Sequence, residues 1–170
     1  MLVIFSCKDQ TDDKNFQEIV LNDSTKVSLI LGDNNKLVCT VNDSISSEWP
    51  LRYPVYQFQS GTINDDDDID IAVGVYKATR YDSIKRNRLF LFQVRDGGII
   101  PLWLGSSVGH PIIDFKVVYD DEGECYIRVL AEEKSDKYLV ADYEWYGFGL
   151  SLSHYLQREI SFEIAKKYLD

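Results

Sequence analysis

The stretch NDDDDIDIAVGVY, residues 64–76, places five carboxylates within seven residues, directly before a run of strand-forming residues. From residue 69 onward, large aliphatic residues alternate with Asp70, Ala72 and Gly74, which is the two-residue period of a β-strand. Ala72 and Gly74 are small and leave room for a second layer of protein. We therefore expect this strand to be covered on both faces.

The segments around this strand carry the same signal. Residues 88–94, RLFLFQV, are apolar on both faces, which is typical of a central strand that is buried twice. Short apolar runs alternate with turn residues that tolerate positive φ angles, such as Asp96-Gly97-Gly98. The runs are 26–31, 36–41, 54–60, 69–76, 88–94, 98–104, 112–119, 124–131, 137–145 and 148–156. The sequence predicts an all-β fold, an antiparallel meander of about ten strands, and the last segment 160–169 fits a short helix or a strand.

The order of these runs repeats along the chain. Residues 54–104 and 112–156 both contain a strand, an acidic turn, a strand, a polar loop, a strand, a glycine turn and a strand, and a shorter unit lies in 26–50. Four-stranded units of about 45–50 residues are typical of β-propeller blades, although propellers usually have four to eight blades. Propeller-like blades and an open or partly closed barrel both explain the pattern. We expect a single β domain over residues 25–170.

The residues TINDDDDIDIAVGVY, 62–76, resemble the FG-GAP or VCBS type of β-propeller repeat. In that family an aspartate-rich loop, which often binds calcium, leads into a strand of the form Asp-(Ile/Leu)-(Ala/Val)-Val-Gly. The resemblance implies that Asn64, Asp66, Asp68 and Asp70 take the positions of the calcium ligands. A solvated acidic loop without metal is the alternative.

The basic residues nearest in sequence, between Lys77 and Arg88, are not expected to neutralise this acidic turn. The strand 69–76 places them at its far end, roughly 23 Å away at about 3.3 Å per residue. That separation exceeds the Debye length of about 8–10 Å at ordinary salt concentration. Something other than these side chains has to screen the turn.

A meander also predicts which turns are neighbours. The acidic turn at 120–124 and the turn that contains Arg95 and Asp96 are expected at the same end of the molecule as the 64–68 turn. One arginine among so many carboxylates leaves a negative rim. A hard cation such as Ca²⁺, with six to eight oxygen ligands, suits such a rim.

The composition restricts the partners. The chain has 18 basic and 28 acidic residues and a formal charge of −10. Nucleic acid is disfavoured as a partner because phosphate neutralisation needs clustered lysine and arginine. No apolar run approaches the roughly 20 residues of a membrane-spanning helix, so contact with a membrane is expected only through a lipid anchor.

The first residues suggest such an anchor. Ile4-Phe5-Ser6-Cys7 resembles the lipobox of bacterial lipoproteins, and the polar segment that follows, up to residue 24, resembles their tethers. A signal peptide needs about 7–15 apolar residues, so the resemblance implies a start upstream of Met1 and lipidation of Cys7. The protein would then be an outer-membrane lipoprotein of the cell envelope, periplasmic or surface-exposed. If Met1 is the true start, Cys7 is an ordinary thiol of a cytoplasmic protein.

Few other residues suggest chemistry. The two histidines, His110 and His154, are too few for a zinc or iron site, and no nucleophile or nucleotide motif occurs. Cys39 and Cys125 lie in predicted strands, where we expect two buried thiols. Aromatic residues in or beside loops are platforms for sugar rings or partner side chains, unless they fill the core. The candidates are Trp49, Tyr53, Trp103, Trp145 and Tyr146.

These features predict a non-catalytic lipoprotein of the cell envelope. It would act as a binding or accessory module for a protein or glycan partner at the cell surface, with calcium at its acidic turn. One alternative is a small envelope hydrolase that cleaves glycans with paired carboxylates, which such an acidic chain contains in plenty. Another is a structural domain for protein–protein interaction.

Overall fold

The computed structural model describes residues 16–64, 66–105 and 108–170. Within these ranges the chain forms twelve strands and one short helix. The strands are β1 Phe16–Val20, β2 Thr25–Ile30, β3 Lys36–Val41, β4 Ser44–Pro50, β5 Val55–Gly61, β6 Asp70–Lys77, β7 Arg86–Arg95, β8 Gly98–Leu104, β9 Ile112–Tyr119, β10 Cys125–Lys134, β11 Lys137–Tyr146 and β12 Gly149–Ile160, and the helix is α1 Phe162–Lys166. The all-β prediction is confirmed, and the C-terminal segment is a helix.

Strands β1 to β4 form one antiparallel sheet in chain order, and β5 to β12 form a second sheet of eight antiparallel strands. In the second sheet, β5–β8 and β9–β12 are two four-stranded meanders, and within the described residues their backbones pair with each other at Asn87 and Ile112 alone. All ten predicted strands are present. The two additional strands are β1, which lies in the segment predicted as tether, and β4.

Strands β6 and β7 lie at the centre of the molecule. On one face, Ala72 and Leu91 pack into a core that β9, β10 and β11 complete. On the opposite face, Val73 and Phe92 pack into a second core that β2 and β3 of the first sheet complete. This confirms the prediction that both strands are covered twice.

The second sheet folds back on itself without closing. Two glutamines of β5 reach the open backbone edge of β9: the Gln59 carboxamide accepts a hydrogen bond from Val117 N at 2.7 Å, and Gln57 Nε2 donates to Phe115 O at 3.4 Å. These side chains satisfy backbone groups that a neighbouring strand would otherwise pair. The result is a partly closed arrangement in which side chains replace the last strand ladder.

The helix and the cysteines complete the packing. Ala165 of α1 is buried against Leu130 and Val140 on the outer face of β10 and β11. Cys39 is buried in the core beneath the first sheet, and burial raises the pKa of its thiol. Cys125 is only partly buried, so full burial holds for Cys39 alone.

Gly74 is required where β6 passes under an aromatic ring. A Cβ atom at Gly74 would lie 2.5–2.7 Å from ring atoms of Tyr56, and Tyr56 itself packs edge-on against Phe115 with ring centroids 6.1 Å apart. We expect Gly74→Ala to lower the free energy of unfolding by about 1–3 kcal/mol through overpacking. Urea denaturation measures the change. Gly32→Ala, whose Cβ would meet nothing within 4 Å, is the control, and equal stability of the two variants would contradict the prediction.

Candidate functional site

The acidic turns meet at one end of the second sheet. Thr62 N, at the start of the β5–β6 turn, donates a hydrogen bond to Tyr119 Oη at the end of β9, at 3.0 Å. Asp68 and Asp96 line the same cavity of about 320 Å³. The predicted neighbourhood of these turns is therefore confirmed. We call the carboxylates of this end the acidic rim; its described members are Asp66, Asp67, Asp68, Asp96, Asp120, Asp121, Glu122 and Glu124.

The segment from Lys77 to Arg88, which we call the basic loop, lies at the other end of β6 from the acidic turn, as the sequence predicts. Asp70 begins that strand and Lys77 ends it. Of the loop's cations, Arg88 is buried against Asp82, with Nη2 2.6 Å from Oδ2. These cations consequently do not neutralise the acidic rim.

Asp70 is the buried member of the acidic turn. Its side chain is 0% exposed. Oδ2 accepts hydrogen bonds from the backbone N–H groups of Ile63 and Asn64, both at 3.0 Å. Oδ1 is enclosed and has no hydrogen-bond partner in the described part of the chain. A buried carboxylate oxygen without a partner costs free energy, about 1–3 kcal/mol or more for a charged group.

The environment of Asp70 opposes its charge. The pKa of Asp70 is raised to about 7: burial is the largest cause, repulsion from Asp66 and Asp68 acts in the same direction, and the two backbone N–H bonds act in the opposite direction. Asp70 therefore exchanges a proton near neutral pH unless a cation compensates its charge.

The remaining predicted ligands are held in the same turn by local hydrogen bonds. Asn64 Nδ2 donates to Asp66 Oδ2 at 3.0 Å, and Asp68 N donates to Asp66 Oδ1 at 3.2 Å. Asp67 has a φ angle of +62°, the left-handed conformation that aspartate tolerates better than most residues. No glycine lies between Asn64 and Asp70, so Asp67 makes the bend that glycine commonly makes.

These side chains are close in sequence but do not form a finished cage. Among the described residues, no three histidine, cysteine or acidic side chains are gathered closely enough to hold a metal ion. The fit to calcium rests on Asp70 Oδ1, a hard oxygen that lacks a partner and is close enough to Asp66 and Asp68 to be destabilised by them.

The predicted aromatic residues separate into three places. Trp49 and Tyr53 are half-buried and line a cavity of about 400 Å³ with Phe90 and Leu104. Trp103 and Trp145 pack against the core between the two halves of the second sheet. Tyr146, the last residue of β11, is 77% exposed. Only Trp49 and Tyr53 form a shared apolar surface.

A buried ion pair escaped the sequence analysis. Asp142 on β11 is 3% exposed, and Arg128 on β10 donates to both of its carboxylate oxygens, each at 2.9 Å. His154 Nε2 lies 3.8 Å from Asp142 Oδ2. The signal that could have revealed the pair is the hairpin register, because Arg128 and Asp142 are directly opposite across β10 and β11.

No family model and no curated protein matches the chain. The fold and site define an antiparallel β protein of three four-stranded meanders with an acidic rim. Within the described ranges, no helix has the length and apolar character needed to cross a bilayer. Cys7, the predicted lipidation site, lies outside the described residues.

Proposed function

We propose that the protein is a non-catalytic binding module of the cell envelope whose acidic turn takes up a calcium ion. The observation that carries the proposal is the enclosed, unpartnered Oδ1 atom of Asp70 beneath Asp66 and Asp68. A divalent cation would supply the missing partner and remove the repulsion among these carboxylates.

Asn64, Asp66, Asp68 and Asp70 would hold the ion. Asp70 would provide the fixed ligand, since its Oδ2 is anchored by two backbone N–H groups. Asp66 and Asp68 are at the surface of the turn and would rotate toward Asp70. The ion would thus order the β5–β6 turn, and through Thr62 and Tyr119 it would steady the neighbouring end of β9.

Partner binding would use the apolar surface of Trp49 and Tyr53. Both rings are half-buried, so they are held in place while part of each ring is accessible. Lys77 Nζ lies 4.5 Å from the centroid of the Tyr53 ring and adds a polar group at its border. A fixed aromatic surface with polar groups around it suits a sugar ring or the side chains of a protein partner.

The envelope location rests on the lipobox-like sequence that ends at Cys7. A lipid on this cysteine would tether the β domain to the outer membrane. A binding role is favoured over glycan hydrolysis because Asp70, the carboxylate with the raised pKa, is 0% exposed. A general acid has to reach the glycosidic oxygen of its substrate.

A calcium titration of the melting temperature tests the proposal. A ligand at 100 times its Kd stabilises by about 2.7 kcal/mol, which for a chain of this size corresponds to about 5–10 °C. We expect calcium to raise the melting temperature of the chelator-treated protein by this amount. Asp66→Ala should abolish the increase.

Asp121→Ala is the matched control, because it removes one exposed carboxylate from the neighbouring acidic turn and is expected to retain the calcium response. Two results would refute the metal site. One is an unchanged melting temperature of the unmodified protein in calcium; the other is an equal calcium response in Asp66→Ala.

A further inference from the structure

A third cavity lies at the opposite end of the molecule from the acidic rim. It has a volume of about 250 Å³ and lies between the start of β7 and the segment that leads into β9. Its lining residues are Asp82, Arg86, Asn87, Arg88, Val108, Gly109, His110, Pro111 and Ile112.

Two guanidinium groups of this cavity converge on a single carboxylate oxygen. Asp82 Oδ2 lies 2.6 Å from Arg88 Nη2 and 3.5 Å from Arg86 Nε. Arg88 is only 8% exposed. The Nε atoms of both arginines are enclosed and have no hydrogen-bond partner within the described ranges. The site therefore has more buried donors than Asp82 can satisfy.

The charge of the region is unusual for this protein. Residues 77–88 contain five basic residues and one acidic residue, in a chain whose formal charge is −10. The Glu133 carboxylate is near enough to His110 for the two charges to interact. It is already engaged, however, by Arg158 Nε at 2.7 Å and by the backbone N–H of Glu159. In the cavity itself, one carboxylate faces two arginines.

We propose that this cavity binds a tetrahedral oxyanion, the phosphate or sulfate group of a small molecule or glycan. Guanidinium groups match the geometry of such anions and bind them with paired hydrogen bonds. Arg86, Arg88 and His110 line one small cavity, and the single carboxylate of Asp82 leaves one of the two guanidinium charges uncompensated. A tetrahedral oxyanion would supply the opposite charge, and its oxygen atoms point in several directions toward side chains on different walls of the cavity.

The test is calorimetric titration of the full chain with inorganic phosphate and with inorganic sulfate, in calcium-free buffer at constant ionic strength. We expect saturable binding of at least one of the two anions. Arg86→Gln should weaken that binding about 10-fold, because it removes one donor and one charge. Asp82→Asn should strengthen it about 10-fold, because it removes the carboxylate that competes for the same guanidinium groups.

Lys36→Gln is the matched control, since Lys36 is also a surface cation paired with a carboxylate, Glu48 Oε1 at 2.7 Å, but lies in the first sheet. Its affinity for phosphate and sulfate should equal that of the unmodified protein. Absence of saturable binding in both the unmodified protein and Asp82→Asn would overturn the proposal. Equal weakening by Lys36→Gln would overturn it as well, and tighter binding of acetate would reject the tetrahedral assignment. None of these outcomes depends on calcium at the acidic turn.

Discussion

Arg128→Met is expected to lower the free energy of unfolding by about 3–5 kcal/mol, the usual cost of removing one partner from a buried ion pair. The Asp142 carboxylate is 3% exposed and receives two hydrogen bonds of 2.9 Å from Arg128. Methionine retains much of the aliphatic volume of arginine but donates no hydrogen bond. The variant would leave a negative charge enclosed between β10, β11 and the C-terminal residues.

Urea denaturation of three further variants separates the charge effect from lost packing. Asp142→Leu combined with Arg128→Met removes both charges and should recover most of the stability, because a buried ion pair is often no more stabilising than apolar residues of similar volume. Lys134→Met is the control. It breaks the ion pair between Lys134 on β10 and Glu159 on β12, whose side chains are 57% and 62% exposed, so a loss of at most about 1 kcal/mol is expected. If Arg128→Met costs no more than Lys134→Met, the buried pair has no special role. The single variant Asp142→Leu completes a double-mutant cycle, from which the interaction energy of Arg128 with Asp142 is obtained.

The strands that bury most of their side chains, above all β6 and β7, are the ones with the clearest sequence signal. The β6 and β7 segments are apolar at nearly every position because both faces pack against protein, and that pattern is visible without a structure. The missed strands, β1 and β4, are the two edges of the first sheet. Phe16 is 50% exposed and Ile45 is 67% exposed. Backbone pairing with β2 and β3 holds these strands, and backbone pairing leaves little trace in the side-chain pattern.

The acidic rim was predictable because a meander alternates its turns between two ends. That rule needs only the order of strands and turns. It places the turns at 64–68 and 120–124 at the same end of the sheet, and no measured distance is needed for that conclusion. The burial of Asp70 was not predictable in the same way. Asp70 lies opposite Gly61 across the first ladder pair of β5 and β6, and the Ile63 and Asn64 amides close over it. Of the five aspartates, Asp70 alone falls within the predicted strand 69–76, but the sequence does not show that two amides of the preceding turn enclose it.

The cavity lined by Arg86 and Arg88 could not be predicted from the sequence either. The run from Lys77 to Arg88 has the composition of a solvated loop. Burial of Arg88 depends on the β7 register and on the segment before β9, which contacts β7 from a position more than 20 residues later in the chain. Local sequence cannot specify such a contact. The cavity was therefore missed because one of its walls comes from a distant segment.

The second large predicted effect is a pH dependence of the free energy of unfolding, which is caused by Asp70. Its pKa in the folded protein is about 7, well above the value of about 3.9 for an exposed aspartate. Between these two values the folded state holds a proton that the unfolded state has lost, so stability falls as the pH rises. With calcium chelated, we expect Asp70 to remove about 4 kcal/mol of stability between pH 4 and pH 8. The loss should be complete once the pH has passed the folded-state pKa.

Asp70→Asn isolates this contribution. Asparagine has nearly the same shape, its carboxamide oxygen can accept the Ile63 and Asn64 hydrogen bonds, and it carries no charge at any pH. The variant should match the unmodified protein near pH 4 and exceed it by about 4 kcal/mol at pH 8, as measured by urea denaturation across this range. Asp121→Asn, at an exposed position of the neighbouring turn, should show no such divergence. A stability difference between Asp70→Asn and the unmodified protein that stays constant with pH would mean that Asp70 is ionised throughout. The enclosed oxygen would then need a compensating group other than a proton.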